Sequence, residues 1–217
     1  MATSHWAQWH DAYEDPSSPL SARLHEVRRQ LRDVLDHSTI GSPRLISMCA
    51  GQGRDVIDVL ATHPRGQNVR ATLVELDEGL AAAAAASARD LGLENVEIVN
   101  GDASVTSTYV DVVPADIVMV CGVFGNLSDV DVARTIFLLP SLCNLSARVI
   151  WTRHRRAPDL TNVIRAMFLE SGFAEIEFFA PRDFLFTVGT HQLQRVPDPF
   201  EEDIRLFTFE GDGHLPA

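Results

Sequence analysis

From Arg44 to Leu193 the chain alternates short apolar runs with longer amphipathic or alanine-rich segments. That alternation is the pattern of a parallel sheet covered by helices. The runs RLISMC (44–49), VRATLVEL (69–76), NVEIVNGD (95–102), ADIVMVC (115–121) and ARVIWTRH (147–154) read as five buried strands. A strand covered on both faces needs apolar residues along nearly its whole length. Helices are expected between them. GRDVIDVLATH is stopped by Pro64, and EGLAAAAAASARDLG combines alanine propensity with Gly92 as a C-terminal cap. SDVDVARTIFLLPSLC opens on Ser128 as N-cap with Asp131 three residues on, and Pro140 is expected to kink or end it. LTNVIRAMFLESG closes at Gly172. FAEIEFFA (173–180) and DFLFTVGTHQL (183–193) are separated only by a short PRD connection, so they are expected to pair antiparallel at the sheet edge.

At 217 residues the chain fills one core and is short for two domains. Residues 41–217 are expected to form that domain, with residues 1–40 as a helical cap or lid belonging to it. SPLSARLHEVRRQLRDVLDH reads as an amphipathic helix, preceded by Trp6, Trp9, His10 and Tyr13. No apolar run reaches membrane-spanning length, and no signal peptide is visible. Cys49, Cys121 and Cys143 form no CxxC pair, which argues against a disulfide framework or a zinc site, so a reducing cytoplasm and no bound metal are expected. A net charge of −12 speaks against a nucleic-acid partner, the one dense basic cluster being RHRR at 153–156. The oligomeric state stays open, a homodimer included.

In an open parallel sheet, ligands bind beyond the carboxyl ends of the strands, where the strand order reverses. Gly51 and Gly53 stand where the first strand turns into its helix. Glycine there lets backbone approach a ligand and offers amide N–H groups at a helix N-terminus, although a tight strand–helix turn needs glycine in any case. The second strand ends on Glu75, at roughly the separation from which a carboxylate accepts both hydroxyls of an adenosine ribose. Asp102 ends the third and could accept from an adenine amino group. Either acid alone also suits a solvated strand end; the three signals in order are adenosine-like.

On these residues the chain resembles the class I S-adenosylmethionine-dependent methyltransferases. LISMCAGQG is similar to their first motif, VELDEG to the acidic second-strand motif, and IVNGDAS to the adenine-side motif. ADIVMVCGVFGNLSD is similar to their fourth strand and following loop, and the resemblance runs over roughly residues 41–195. It implies an α/β, Rossmann-like, seven-stranded, mostly parallel sheet with a C-terminal antiparallel hairpin. It also implies S-adenosylmethionine as cofactor and S-adenosylhomocysteine as product. Ala50, Gly51 and Gly53 would meet the methionine part, Glu75 the ribose, Leu76 the adenine ring, Asp102 the adenine amino group and the Ala103 backbone a ring nitrogen. The backbone of Cys121 and Gly122 would lie by the methionine amino group, and Cys49 would come close to Cys121. Tyr13 or Arg23 could reach the methionine carboxylate. Two positions depart from the family pattern: Ser47 stands where an acid is usual, and Cys49 where a glycine is.

Methyl transfer from a sulfonium is an in-line displacement, so an enzyme chiefly aligns the acceptor and excludes water. A base is needed only if the acceptor must lose a proton. Asn126 could orient an acceptor or simply suit its loop. His154 is either a general base, helped by flanking arginines that depress its pKa, or a polar strand end. Tyr13 is the third catalytic candidate. Phe124, Trp9 and His10 are candidates for the acceptor pocket. Arg153 and Arg155 could clamp an anionic acceptor. The reading is a methyltransferase acting on O or N of a small molecule. The alternatives are an RNA methyltransferase using residues 153–156, a cofactor-binding protein without catalysis, and a different reaction on the same fold.

Overall fold

The computed structural model describes Asp15 and residues 17–209. Trp6, Trp9, His10 and Tyr13 therefore lie outside the described residues. Seven strands form one sheet: β1 (Arg44–Met48), β2 (Arg70–Glu75), β3 (Val96–Asn100), β4 (Ala115–Val120), β5 (Cys143–His154), β6 (Phe173–Phe179) and β7 (Phe186–Leu193). Their order is β3-β2-β1-β4-β5-β7-β6, parallel as far as β5, with β7 antiparallel to both of its neighbours. The order reverses between β1 and β4, so the ligand crevice of a doubly wound sheet falls beyond Met48 and Val120.

Among the described residues five α-helices cover the sheet: α1 (Pro19–Asp36), α2 (Arg54–Thr62), α3 (Glu78–Asp90), α4 (Asp129–Leu142) and α5 (Thr161–Glu170). Two cores result, one on each face. One joins Leu45, Leu73 and Ile117 to α1, α2 and α3, and the other joins Ile46, Val118 and Trp151 to α4 and α5. Strand residues divide between them by the period-two alternation of side chains. The N-terminal helix lies along the sheet, packing on α2, β5 and β7 through Val27, Leu31 and Leu35. Buried Gln30 accepts from Thr190 Oγ1 at 2.6 Å, which fixes the helix's register on β7.

Helix ends follow the sequence chemistry. Ser128 accepts from Asp131 N as N-cap of α4, and Asp77 accepts from Leu80 N at the start of α3. Pro140 sits in the last turn of α4, which ends two residues later with Cys143 N–H on the Pro140 carbonyl. β5 starts at Cys143, four residues before the sequence signal, because Cys143 pairs with Ala115 across an irregular register. Cys49 and Cys121 follow neighbouring strands, but their side chains pack on opposite cores and both are free thiols. Cys49 has φ of 51°, so the strand alternation that would aim the two together is broken there.

The tail beyond β7 gave no periodic signal in the sequence, yet it belongs to the core. Leu206 and Phe207 are completely buried. Their stretch pairs antiparallel with the loop after β3 at Val105–Arg205 and with the loop after β4 at Leu127–Phe209.

Candidate functional site

The glycine turn after β1 is built with different requirements at each position. Gly51 has φ of 57°, and a Cβ placed there would meet nothing within 4 Å. Gly53 has φ of 67°, and its Cβ would fall 2.6 Å from Leu73 Cδ2 and 2.8 Å from Ile57 Cδ1. Gly53 is therefore demanded by the packing of α2 on β2, whereas the space above Gly51 is open to a ligand. Gly122, after β4, repeats the second case: φ is 76° and its Cβ direction is clear to 4 Å. Two open backbone surfaces thus face the switch point from β1 and β4.

Glu75 binds this turn to the second strand. Its carboxylate is largely buried, accepting Gly51 N–H on Oε2 at 2.7 Å and Asp77 N–H on Oε1 at 2.9 Å. A carboxylate has about four acceptor sites, so each oxygen keeps capacity for a ligand hydroxyl. Leu76 beside it is 71% exposed, an apolar surface next to a polar cleft. The Asn100 side chain donates to the carbonyls of Glu75 and Leu76 and holds that end of β2 against β3.

Asp102 stands at the next strand end and is exposed. Its Oδ1 accepts from Ser104 N at 2.9 Å and Ser104 Oγ at 2.6 Å. Partial burial would raise its pKa, but the Ser104 hydrogen bonds and the nearby Arg205 outweigh this and hold it below the usual carboxylate value. Ala103 is buried, and its carbonyl accepts from the fully buried Tyr109 hydroxyl at 2.6 Å.

Around the end of β4, Gly122 N donates to Thr152 Oγ1 at 2.8 Å, and its carbonyl accepts from Asn126 Nδ2 at 2.8 Å. Asn126 thereby closes the short turn Phe124–Asn126. Half-buried Cys121 has its thiol pKa raised by burial.

The structure brings Ala50, Gly51, Gly53, Glu75, Leu76, Asp102, Ala103, Cys121 and Gly122 to one end of the sheet, beyond β1 to β4. Asn126 and His154 join that end. A Cβ on Gly125 would stand 3.4 Å from the His154 ring. Burial, then Arg153 and Arg156, lower the His154 pKa against an opposing pull from Asp159. His154 Nδ1 accepts from Arg156 N at 3.3 Å, which places the neutral ring's proton on Nε2.

Three acceptor-side candidates have internal partners instead. Phe124 is fully buried against Trp151 and Phe168. Arg153 is buried and donates to the Phe124 carbonyl, and Arg155 donates to the carbonyls of Pro181 and Phe184. These arginines tie the β5 end to its neighbouring loops.

Two charged residues of this end were not singled out in the sequence. Asp55, in the first turn of α2, is under the influence of Arg28 and Arg23 and itself acts on Cys121; burial raises its pKa. An acid two residues after the glycine turn was a usable signal. Arg205, from the tail, lies 3.6 Å from Asp102 Oδ2, and no local pattern announces that contact. Among the described residues no group of three or more His, Cys, Asp or Glu could hold a metal ion. None of the described helices is long and apolar enough to cross a membrane.

No protein-family model matches the chain, and no curated protein matches it in sequence. Solved structures do. Magnesium protoporphyrin IX methyltransferase from Synechocystis PCC 6803, with bound SAM, superposes with a TM-score of 0.67 at 14% identity over 88% of this chain and 92% of that one. The 1,6-didemethyltoxoflavin-N1-methyltransferase of Burkholderia thailandensis, with its substrate and S-adenosylhomocysteine, gives 0.64 at 16% identity over 87% of each chain. An O-methyltransferase family protein from Burkholderia thailandensis gives 0.60 at 15% identity over 77% of this chain, which spans only 56% of that protein. The fold is therefore that of the class I S-adenosylmethionine-dependent methyltransferases.

Proposed function

We propose that the protein is an S-adenosylmethionine-dependent methyltransferase acting on oxygen or nitrogen of a small molecule. The observation that carries this is the turn at Gly51: its Cβ direction is open, and its amide is held by a Glu75 carboxylate that retains acceptor capacity. Open backbone, a ribose-reading acid, exposed Leu76 and Asp102 follow one another along consecutive strand ends, in the order of an adenosine with its methionine tail. The donor set fits the cofactor. Gly51 and Gly122 would flank the methionine part, with Arg23 and Asp55 as its charged surroundings. Glu75 would accept the ribose hydroxyls, and Leu76 would cover the ring. When bound, S-adenosylmethionine supplies an electrophilic methyl carbon on a sulfonium.

The chain's own contribution is alignment and exclusion of water. Asn126, fixed through Gly122, orients the acceptor. The low pKa of His154 keeps its ring neutral at pH 7, and it takes up a proton only on Nδ1, once that atom is released from the Arg156 N–H. Residues 1–40 belong to one domain with residues 41–217, the helix Pro19–Asp36 serving as a cap on the sheet. A small acceptor suits the net charge of −12 and the inward commitment of Arg153 and Arg155, which removes two cations from any RNA-binding face. Three free cysteines suit a cytoplasmic setting.

Isothermal titration with S-adenosylmethionine tests the reading. Binding in the micromolar range is expected, and Glu75→Ala should weaken it by about a hundredfold, the size of two lost hydrogen bonds to a charged acceptor. Wild-type protein that fails to bind at millimolar cofactor would overturn it.

A further inference from the structure

The tail does more than fill the core. Thr106 N donates to Ile204 O at 3.0 Å and Leu206 N to Ser104 O at 2.8 Å, so the backbone is clamped on both sides of Arg205. Thr135 Oγ1 donates to Leu206 O at 3.1 Å, and Leu206 and Phe207 are buried beyond it. Ser107 and Asp203, 96 residues apart, bond to each other beside this clamp, and Arg205 is thus delivered to the loop after β3. Its Nη1 donates to Ser104 Oγ at 2.7 Å.

The direction of the protons follows from chemistry. A guanidinium has donors and no acceptor. The Ser104 hydroxyl must therefore accept from Arg205 and spend its own proton on Asp102 Oδ1, 2.6 Å away. With Ser104 N also on Oδ1, that oxygen carries two hydrogen bonds. Oδ2 carries neither of these bonds and makes only a longer ion pair with Arg205 Nη1 at 3.6 Å, which leaves it room for a second donor. The arrangement sorts the two oxygens of one carboxylate into a committed one and an available one.

We propose that Arg205 is a positioning residue: by fixing the direction of the Ser104 hydroxyl, it reserves Asp102 Oδ2 for the exocyclic amino group of an adenine. This rests on the reading of the site as an adenosine-bearing cofactor site and adds a residue from outside the sheet to it. Without Arg205 the Ser104 hydroxyl is free to turn away, and the carboxylate loses its fixed aim. The loss should be confined to ligands that present an amino group there.

The test is calorimetric titration of wild type and Arg205→Ala with two probes. One is S-adenosylhomocysteine; the other is its analogue carrying unsubstituted purine, which lacks the amino group. The variant should bind S-adenosylhomocysteine about fivefold to tenfold more weakly, the effect of degrading one hydrogen bond to a charged group. The purine analogue should bind both proteins within about twofold. Ser104→Ala should give a similar loss, and the double variant no further one. Arg205→Met keeps the aliphatic stem and replaces the alanine variant if that one does not fold. Equal weakening of both probes, or of neither, would overturn the role of Arg205 while leaving the cofactor site standing. Wild-type protein that binds neither probe would overturn both.

Discussion

Acid should destabilise this protein through one histidine before its carboxylates titrate. His191 on β7 is 1% exposed, its ring stacked on Phe168 with centroids 4.4 Å apart. Nδ1 accepts from Trp151 Nε1 at 3.0 Å. An indole N–H can only donate, so the ring is neutral with its proton on Nε2. Protonation would break that bond and leave a cation among aromatic rings. Glu175 offers little relief: Oε2 is 3.7 Å from Nε2, and the carboxylate already holds Arg165 at 2.6 and 2.8 Å. Burial accordingly lowers the His191 pKa from 6.5 to about 4, against a smaller opposing pull from Glu175. A histidine with a depressed folded pKa makes the unfolded chain the stronger proton binder, so stability falls as pH drops below 6.5 and keeps falling to about 4. At about 1.4 kcal/mol per pH unit the loss from pH 7 to pH 5 is about 2 kcal/mol, reaching about 3 kcal/mol by pH 4. Urea unfolding at pH 7, 6 and 5, on wild type and His191→Phe, isolates the effect from the other histidines. The variant pays a fixed cost for the orphaned Trp151 N–H but has nothing to titrate there. Its stability should fall less between pH 7 and pH 5, by about 2 kcal/mol. Parallel pH profiles for the two proteins would refute the argument.

The two glycines of the turn should separate. Gly51→Ala should cost about 1 kcal/mol of stability for its left-handed φ, yet lower cofactor affinity at least about tenfold, because its methyl enters the space a ligand would use; urea unfolding and calorimetry read the two effects. Gly53→Ala should cost about 3 kcal/mol in urea unfolding, since clashes with Leu73 and Ile57 add to the same strain. Phe207→Ala should cost about 3–5 kcal/mol, which would show by the same method that the tail is core. In a proton NMR titration His154 should show a midpoint below 6.5, as burial and its arginine neighbours require; a midpoint above that would remove the basis for a neutral base.

The strands were legible because β1, β2 and β4 are buried on both faces and must be apolar throughout. The order of glycine, Glu75 and Asp102 was legible because each ends a strand in that series. What escaped was long-range. Arg153 and Arg155 read as clamps for an anionic acceptor, since nothing local shows that the carbonyls of Phe124, Pro181 and Phe184 will be waiting for them. Cys49 and Cys121 read as neighbours because register predicts Cα proximity, whereas side-chain direction depends on the backbone turn at Cys49. The contacts of the tail escaped because the stretch after Leu193 carries no strand or helix period, and Arg205 acquires a role only through pairing with the β3 loop.

Ser47 carries the argument one step further. It is 2% exposed in the middle of the β1 end, where the family resemblance leads one to expect an acid. A carboxylate placed there without a partner would be costly, because burial removes its hydration. The ammonium of a bound methionine moiety would be such a partner, and only in the complex. Ser47→Asp should therefore lower the melting temperature of the free protein and enlarge the shift produced by saturating S-adenosylhomocysteine, since a ligand stabilises the folded state by an amount that grows with the logarithm of its affinity. A tenfold gain in affinity would add about 1.4 kcal/mol to that stabilisation. Thermal unfolding with and without ligand gives both quantities in one experiment. If the variant loses stability and the ligand-induced shift does not grow, the ammonium does not lie beside β1, and the methionine moiety must be held by the Gly122 side of the crevice instead.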